Sequence, residues 1–289
     1  YGTIDPTIFV AISFLIMFGA MFGDLGHGLI LSVISLFLWK NKKEKVRQAG
    51  TLIFYCGVSS ELFGILYGSF FGYEFQSLWI KPMHSIIEIF KISVLFGVVI
   101  ITGGILLNII NAFKDRDYIK AFFDKAGLIA GVIYWTGIAL VSKVLVSKTG
   151  FQPVYILVFL ACVGLLFLKP FVELIVKKKR EPILTAFMES TIDVLEIVMG
   201  YLANTVSFIR IAAFALAHTG LFLSIFELSR IMRGVGGTAA SLIVIVLGNI
   251  LIILLEGLVV SIQSLRLNYY EFFSKFFMSG KRYYKPLTM

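Results

Sequence analysis

The chain has 289 residues, of which 58% are hydrophobic and only 15% charged, whereas about 25% of the residues are charged in soluble domains. A mean hydropathy of +0.93 leaves too little polar surface to cover a globule of this size, which excludes a water-soluble protein. The sequence therefore predicts an all-α, polytopic membrane protein.

Apolar stretches divided by charge, Gly or Pro predict about eight transmembrane helices, at about 20 residues for each crossing of a bilayer. In chain order they lie near residues 7–23, 26–39, 48–71, 91–112, 125–146, 153–176, 191–229 and 239–272. The first two are short, so they form either a hairpin or one broken helix. We expect residues 1–190 to form a peripheral bundle of six helices and residues 191–289 to hold two functional helices and a C-terminal tail.

The distribution of basic residues predicts the orientation of the chain. If the amino end is cytoplasmic, the cytoplasmic segments hold 17 of the 26 Lys and Arg residues; these segments are 40–47, 113–125, 177–180 and 271–289. By the positive-inside rule both ends are cytoplasmic. This topology also explains the net charge of +9, because the basic residues do not form the stripe typical of a nucleic-acid surface.

Two motifs of the first half have structural interpretations. Gly64, Gly68 and Gly72 recur every four residues, which predicts a helix face that another backbone approaches closely. Asp24 and His27 are interpreted as capping and packing groups between the first two spans.

The last two predicted spans are too long to stand upright in a bilayer. At 1.5 Å per residue, residues 191–229 would make a helix about 58 Å long and residues 239–272 one of about 51 Å. Ionisable residues are spread along both runs without a clean polar overhang, so we expect both helices to be strongly tilted.

Charges within these spans need a partner, a water path or a function, because a charge at the bilayer centre costs on the order of 3 kcal/mol. Arg210 lies too far from either end of its span to reach the interface easily. Glu196 lies about 21 Å before it on nearly the same helix face, and His218 lies about 12 Å beyond it. This order predicts two polar entrances separated by a fixed positive charge. Alternatively, these groups pair with one another inside a helical bundle.

Four segments resemble the membrane domain of subunit a of rotary V-type ATPases, called subunit I in archaeal and bacterial complexes. They are MFGDLGHG at 21–28, YGSFFG at 67–72, SFIRIAAFALAHTGL at 207–221 and EGLVVSIQSLRLNYYEFFSKFF at 256–277. The resemblance covers essentially the whole chain and implies a prokaryotic member, since IRIAAFALAH stands where eukaryotic members tend to read LRLWALSLAH. YGTIDPT at the start is similar to the junction after the cytosolic arm, so we expect a segment without that arm.

The resemblance implies a role for each polar residue of the last two spans. Arg210 is similar to the arginine that faces the rotor ring, and Arg266 to its partner on the last helix. The resemblance implies that Glu196 lies in the cytoplasmic half-channel and that His218 and Glu256 lie in the outer half-channel. Gln263 is also implied to be a half-channel residue. The implied partners are the proteolipid rotor ring, the central-stalk cap subunit, the peripheral stalks through the cytosolic arm and the lipids of a bacterial plasma membrane.

Three functions are weighed. The first is a stator that conducts Na⁺ or H⁺ through two offset half-channels, without an ATP site of its own because the chain has no GxxxxGK[ST] phosphate loop. The second is a self-contained secondary transporter, which an internal repeat would favour. The third is an intramembrane hydrolase, but GxSG and HExxH are absent from the sequence.

We expect no cofactor and no metal centre in this chain, apart from the transported ion. Cys56 and Cys162 lie in apolar runs without another Cys or His at metal-ligand spacing. The rotor carboxylate that selects the ion lies on another subunit. Lys- and Ile-rich usage is typical of an AT-rich bacterial genome, and the resembled family includes sodium pumps in such organisms, which favours Na⁺ over H⁺.

Overall fold

The computed structural model describes residues 7–114, 118–146, 153–168 and 183–276. They form two compact units. The Arg210 unit consists of residues 7–97 and 206–270, and the Glu196 unit consists of residues 98–205 and 271–276. The two units are described separately below.

The Arg210 unit begins with two short helices that pack against a longer one. The three are α1 (Thr7–Met21), α2 (Leu25–Trp39) and α3 (Glu44–Tyr67). Residues 22–24 are non-helical and connect α1 to α2, so the two short spans are separate helices. A Cβ atom at Gly64 would collide with the backbone nitrogen of Leu25, which explains why glycine is needed where α3 passes this corner.

The glycine repeat then changes its function along the chain. Gly68 follows the last residue of α3 in the left-handed conformation, with φ of 72°. A small antiparallel hairpin comes next, with β1 (Ser69–Phe70) and β2 (Tyr73–Glu74) joined by Phe71 and Gly72, both at positive φ. Two positive-φ residues are typical of a tight hairpin turn. The predicted helix face is therefore right for Gly64 and wrong for Gly68 and Gly72, and the span predicted at 48–71 ends at Tyr67.

The carboxyl-terminal part of the Arg210 unit is a pair of antiparallel helical arms. Helix α9 (Ile209–Leu251) contains Gly237 at φ of 74°, and the chain reverses there. The hydroxyls of Ser229 and Ser241 lie 2.7 Å apart across this turn. The second arm continues through a π-helical stretch (Ile252–Glu256), α10 (Gly257–Arg266) and a second π-helical stretch (Leu267–Phe273).

The Glu196 unit is also helical over its described residues. It contains the carboxyl-terminal part of α4 (Ile86–Lys114), followed by α5 (Tyr118–Phe123), α6 (Leu128–Val146), α7 (Pro153–Phe167), most of α8 (Ile183–Ser207) and α11 (Ser274–Phe276). The rings of Tyr134 on α6 and Tyr201 on α8 lie 4.9 Å apart. The Thr205 hydroxyl donates to Tyr134 Oη at 3.3 Å, so α6 and α8 are joined by both apolar and polar contacts. The run predicted at 191–229 is divided, because α8 ends at Ser207 and α9 begins at Ile209.

Within the described residues, four helical stretches are long and apolar enough to cross a membrane. They are Glu44–Tyr67, Ile86–Lys114, Ala121–Lys143 and Phe187–Phe273, and three apolar helices, α1, α2 and α7, are shorter. These features support a helical membrane protein, whereas the count of about eight spans is not confirmed. The tilt of the last helices and the orientation of the chain stay predictions. Of the segments used for that orientation, all of 177–180, residues 115–117 of 113–125 and residues 277–289 of 271–289 lie outside the described residues, as do residues 1–6.

Candidate functional site

The interior of the Arg210 unit contains an acid paired with an imidazole. Nδ1 of His218, on α9, lies 2.6 Å from Oε2 of Glu256. The two side chains are only 2% and 6% exposed. Glu256 ends a π-helical stretch, a rare distortion that often occurs at functional sites. The structure therefore brings together the two residues to which the sequence assigned the outer half-channel.

Each member of this pair keeps one buried polar atom without a hydrogen bond. Among the described residues, Nε2 of His218 and Oε1 of Glu256 have no partner. Such atoms are costly to bury unless water or an ion satisfies them. Carboxylate oxygen and imidazole nitrogen can accept a proton, bind water or contact a small cation. The pair is chemically suited to a site that exchanges ions.

A cavity of about 110 Å³ reaches His218 from the hairpin side of the unit. Its wall includes Phe222 on α9, Ser69 on the hairpin and Gly23 at the α1–α2 corner. Glu74 and Lys81 also line it, and their charged atoms lie 3.4 Å apart. Polar groups thus extend from exposed side chains to the buried imidazole.

Asp24 fixes one wall of this cavity. Its buried carboxylate accepts hydrogen bonds from the backbone N–H of His27 at 3.0 Å and the hydroxyl of Ser69 at 2.6 Å. It also accepts from the backbone N–H groups of Phe71 and Gly72, each at 3.1 Å. Asp24 is the N-cap of α2, so its interpretation as a capping group is confirmed. The same carboxylate also connects the hairpin turn to that helix by hydrogen bonds. The sequence did not predict this second role.

His27 occupies a position that its packing interpretation did not include. Its ring lies 5.7 Å from the ring of His218, nearly perpendicular to it. Its Nε2 lies 2.9 Å from Oδ1 of Asn249 on the second arm of α9. Asn249 was also missed, although an amide within an apolar run is the kind of signal that could have identified it.

The remaining predicted residues of the Arg210 unit lie at different depths. Arg210 is half-buried near the start of α9, and its Nη2 donates to the hydroxyl of Ser207 at 3.3 Å. Gln263 on α10 is half-buried, and its Oε1 has no hydrogen-bond partner among the described residues. Arg266 is exposed at the end of α10. An exposed guanidinium on an apolar helix is available to a partner outside this chain.

The Glu196 unit has a separate polar cavity of about 300 Å³. Glu196 lines it, and its Oε2 lies 2.5 Å from Nζ of Lys125, with both side chains about half exposed, at 55% and 51%. The ammonium of Lys275 lies 4.5 Å from the centre of the Tyr201 ring. Burial lowers the pKa of Lys275 to about 8, against the opposing effect of Glu196 and Glu271. Glu196 is therefore an accessible acid beside two lysines that the sequence did not single out.

Comparison with known proteins places the chain in a family. The sequence model of the V-type ATPase 116 kDa subunit family matches residues 1–82 and 173–289. The A-type ATP synthase subunit I of Saccharolobus solfataricus is 26% identical over 99% of this chain and 51% of its own length. That of Pyrococcus horikoshii is 27% identical over 100% of this chain and 44% of its own length. The V-type ATP synthase subunit I 2 of Treponema pallidum is 29% identical over 43% of this chain and 33% of its own length.

The chain thus spans about half the length of the first two relatives. The two matched ranges contain the acid–imidazole pair, Asp24, His27 and the residues predicted to form the half-channels. They account for more than half of the chain, and the family is the one that the sequence motifs resemble. The chain belongs to the V-type ATPase 116 kDa subunit family.

Proposed function

We propose that this chain is the ion-conducting stator segment of a rotary V/A-type ATPase. Na⁺ or H⁺ passes through two offset half-channels while a ring of proteolipid carboxylates turns past the stator. The observation that carries the proposal is the buried pair of His218 and Glu256 inside a helical unit of a membrane protein. Ionisable side chains within membrane segments are expensive and characteristically mark ion or proton pathways.

The outer half-channel is assigned to the cavity that reaches His218. Glu74 and Lys81 line it and provide a charged entrance. Beyond them, His218 and Glu256 carry the ion inward: H⁺ transfers directly along their 2.6 Å hydrogen bond, whereas Na⁺ contacts the atoms outside that bond, Nε2 of His218 and Oε1 of Glu256. Gln263 lies two helical turns beyond Glu256 and supplies a further polar oxygen to the path.

The cytoplasmic half-channel is assigned to the cavity of the Glu196 unit. Its larger volume and the exposure of Glu196 suit a wide aqueous vestibule. An acid there raises the local concentration of cations. The neighbouring ammonium of Lys125 weakens this attraction and leaves Glu196 able to release an ion quickly.

Arg210 separates the two paths in this mechanism. A rotor carboxylate with its bound ion is neutral and can face lipid, but it must release the ion on re-entering the stator. An arginine within about 4 to 6 Å stabilises the ionised acid, commonly by about 1 to 3 pKa units. The same positive charge repels a free cation and blocks direct leakage between the half-channels. Arg266, exposed on α10, assists Arg210 at the rotor surface.

The proposed complex implies the remaining partners and the location. The chain lies in a prokaryotic plasma membrane with both ends cytoplasmic. It contacts the proteolipid ring and the central-stalk cap subunit, and it joins the peripheral stalks through a cytosolic arm. ATP is hydrolysed on other subunits, and this chain carries only the ion.

Purification of the native complex through a tag on this chain tests the proposal. The proteolipid ring should co-purify, and the reconstituted complex should take up ions only when ATP is added. ATPase activity measured with and without Na⁺ at fixed pH identifies the ion, and we propose Na⁺. If the chain purifies without a ring and transports ions by itself, it is a secondary transporter and the stator proposal is wrong.

A further inference from the structure

A second histidine is buried beside the acid–imidazole pair, and its hydrogen bonding is incomplete. His27 on α2 is fully buried. Its Nε2 contacts Asn249, whereas its Nδ1 has no hydrogen-bond partner among the described residues. A polar atom in this state is costly unless water or another ligand reaches it.

The unsatisfied nitrogen of His27 has a counterpart on the neighbouring ring. The ring centres of His27 and His218 are 5.7 Å apart, and Nε2 of His218 also has no partner among the described residues. Imidazole nitrogen can accept or donate a hydrogen bond, so one water molecule that contacts both rings would satisfy a nitrogen of each.

The cavity that reaches His218 ends one side chain away from His27. Phe222 lines that cavity, and its ring centre lies 5.0 Å from the rings of both histidines. Gly23 and Ser69, which flank the Asp24 carboxylate, line the same cavity. The cavity already reaches His218, and a rotation of the Phe222 side chain would extend it to the imidazole of His27.

We propose that His27 is a further residue of the outer half-channel, which together with His218 holds the water or ion that reaches Glu256. The inference rests on the proposed function, because it adds a member to the path described above. The competing explanation is dry packing, since Phe22, Phe71 and Phe222 surround the His27 ring. Dry packing leaves the second nitrogen of His27 unsatisfied, whereas a water path satisfies it.

Cysteine accessibility in the assembled complex distinguishes these explanations. After replacement of Cys56 and Cys162 by alanine, single cysteines are introduced as His27→Cys and His218→Cys, and Ag⁺ is added from the outer side. Ser35→Cys is the matched control, because Ser35 is fully buried on the same helix. We expect Ag⁺ to block later maleimide labelling of the denatured His27→Cys and His218→Cys proteins and to leave labelling of the Ser35→Cys protein unchanged.

Each other result has a definite meaning. Reaction at position 218 without reaction at position 27 would overturn the role of His27 and leave the outer half-channel intact. Absence of reaction at both positions would overturn the half-channel itself. If the Ser35→Cys protein reacts with Ag⁺ equally, the inference is also overturned, because Ag⁺ would then reach buried positions that do not line the proposed path.

A second measurement covers the case in which a cysteine variant fails to assemble. His27→Leu should lower ATP-driven uptake by about 10- to 100-fold, the kinetic equivalent of one lost hydrogen bond to a charged species or its water. His27→Gln keeps polar atoms for Asn249 and water and should retain most of the uptake. If His27 only packs against Asn249, the double variant His27→Leu/Asn249→Leu should restore transport, because both bonding partners become apolar. Restoration by that double variant, or equal uptake by the Leu and Gln variants, would refute the path role.

Discussion

Glu256 and Glu196 are two acids in the same membrane chain, and their surroundings are opposite. Glu256 is buried against an imidazole inside the Arg210 unit. Glu196 is half exposed at a wide cavity of the Glu196 unit, beside the half-exposed Lys125. The first acid is enclosed by protein, whereas the second is open to solvent beside its lysine partner.

This difference affects both stability and function. An exposed ion pair contributes about 0 to 1 kcal/mol to stability. Removal of one member of a buried pair costs about 3 to 5 kcal/mol, because the remaining group stays buried without a partner. We therefore expect changes in the Arg210 unit to have large effects and equivalent changes in the Glu196 unit to have small ones.

The largest expected difference follows from removing one positive charge from each unit. Arg210→Ala should lower ATP-driven ion uptake to about one hundredth of the wild-type rate or less, the usual cost of losing an electrostatic stabiliser. Lys125→Ala should change uptake by less than about fivefold, because its ion pair is exposed. Uptake is measured in sealed vesicles that contain complexes of verified subunit composition.

Two further measurements sharpen the Arg210 result. Passive ion leak should rise in Arg210→Ala, since the proposed barrier between the proposed half-channels would be lost. Arg210→Lys should also be impaired, because an ammonium is more strongly hydrated and lacks the planar fork of a guanidinium. Uptake by Arg210→Ala near the wild-type rate would remove Arg210 from the mechanism.

The second prediction concerns stability at the two acids. Glu256→Leu should lower the free energy of unfolding by about 3 kcal/mol, since His218 then remains buried without its acid. Glu196→Leu should lower it by less than about 1 kcal/mol. Denaturant unfolding of the purified protein in detergent gives both values. Equal losses for the two variants would contradict the distinction between a buried and an exposed acid.

Asp24 gives a third and smaller effect. Asp24→Ala removes the cap of α2 and leaves the N–H groups of the hairpin turn unsatisfied. We expect the free energy of unfolding to fall by about 2 kcal/mol. This is more than the loss of a helix cap alone, because the hairpin turn also depends on the carboxylate. The control is Asp124→Ala, in the Glu196 unit, where the carboxylate accepts from Asn108 at 3.4 Å and from the backbone N–H of the adjacent Lys125 at 2.9 Å, and caps no hairpin turn. If Asp124→Ala lowers the free energy of unfolding as much as Asp24→Ala does, the hydrogen bonds of Asp24 to the helix and the turn do not explain its effect.

The sequence predicts what depends on local pattern. Apolar run length identifies helical segments, and an aspartate just before α2 indicates its cap. The glycine repeat is ambiguous, because the same residue can allow close helix packing, as at Gly64, or positive φ, as at Gly68 and Gly72. Spacing alone cannot separate these two uses of glycine.

The contacts of the site are less predictable because they join distant parts of the chain. His27 contacts Asn249 across 222 residues, and Lys125 contacts Glu196 across 71. The π-helical stretch that ends at Glu256 changes the residue period locally, so angles that assume a regular helix fail there. The sequence identifies which residues are costly to bury, whereas the tertiary fold decides which of them meet.

The smallest expected effect tests whether the Glu196 unit contains a charged group whose burial lowers stability. Lys275 has a folded pKa of about 8, lowered mainly by burial. An unfolded lysine has a pKa near 10.4, so between these values the unfolded chain binds more protons than the folded one. Stability should therefore rise with pH across that window, and the cost of burying the charged lysine should be fully present below about pH 8.

Lys275→Met should remove this contribution. Thermal unfolding followed through Trp135, which lies in the same unit and contacts Thr102, should show a smaller rise in melting temperature between about pH 8 and pH 10 than in the wild-type protein. We expect a difference of about 2 °C, because partial solvation weakens the effect. Lys125→Met is the matched control, since Lys275 is retained and the pH dependence should persist. If Lys275→Met keeps the wild-type dependence, Lys275 is as well solvated as the exposed pair, and the Glu196 unit contains no buried charge at this cavity.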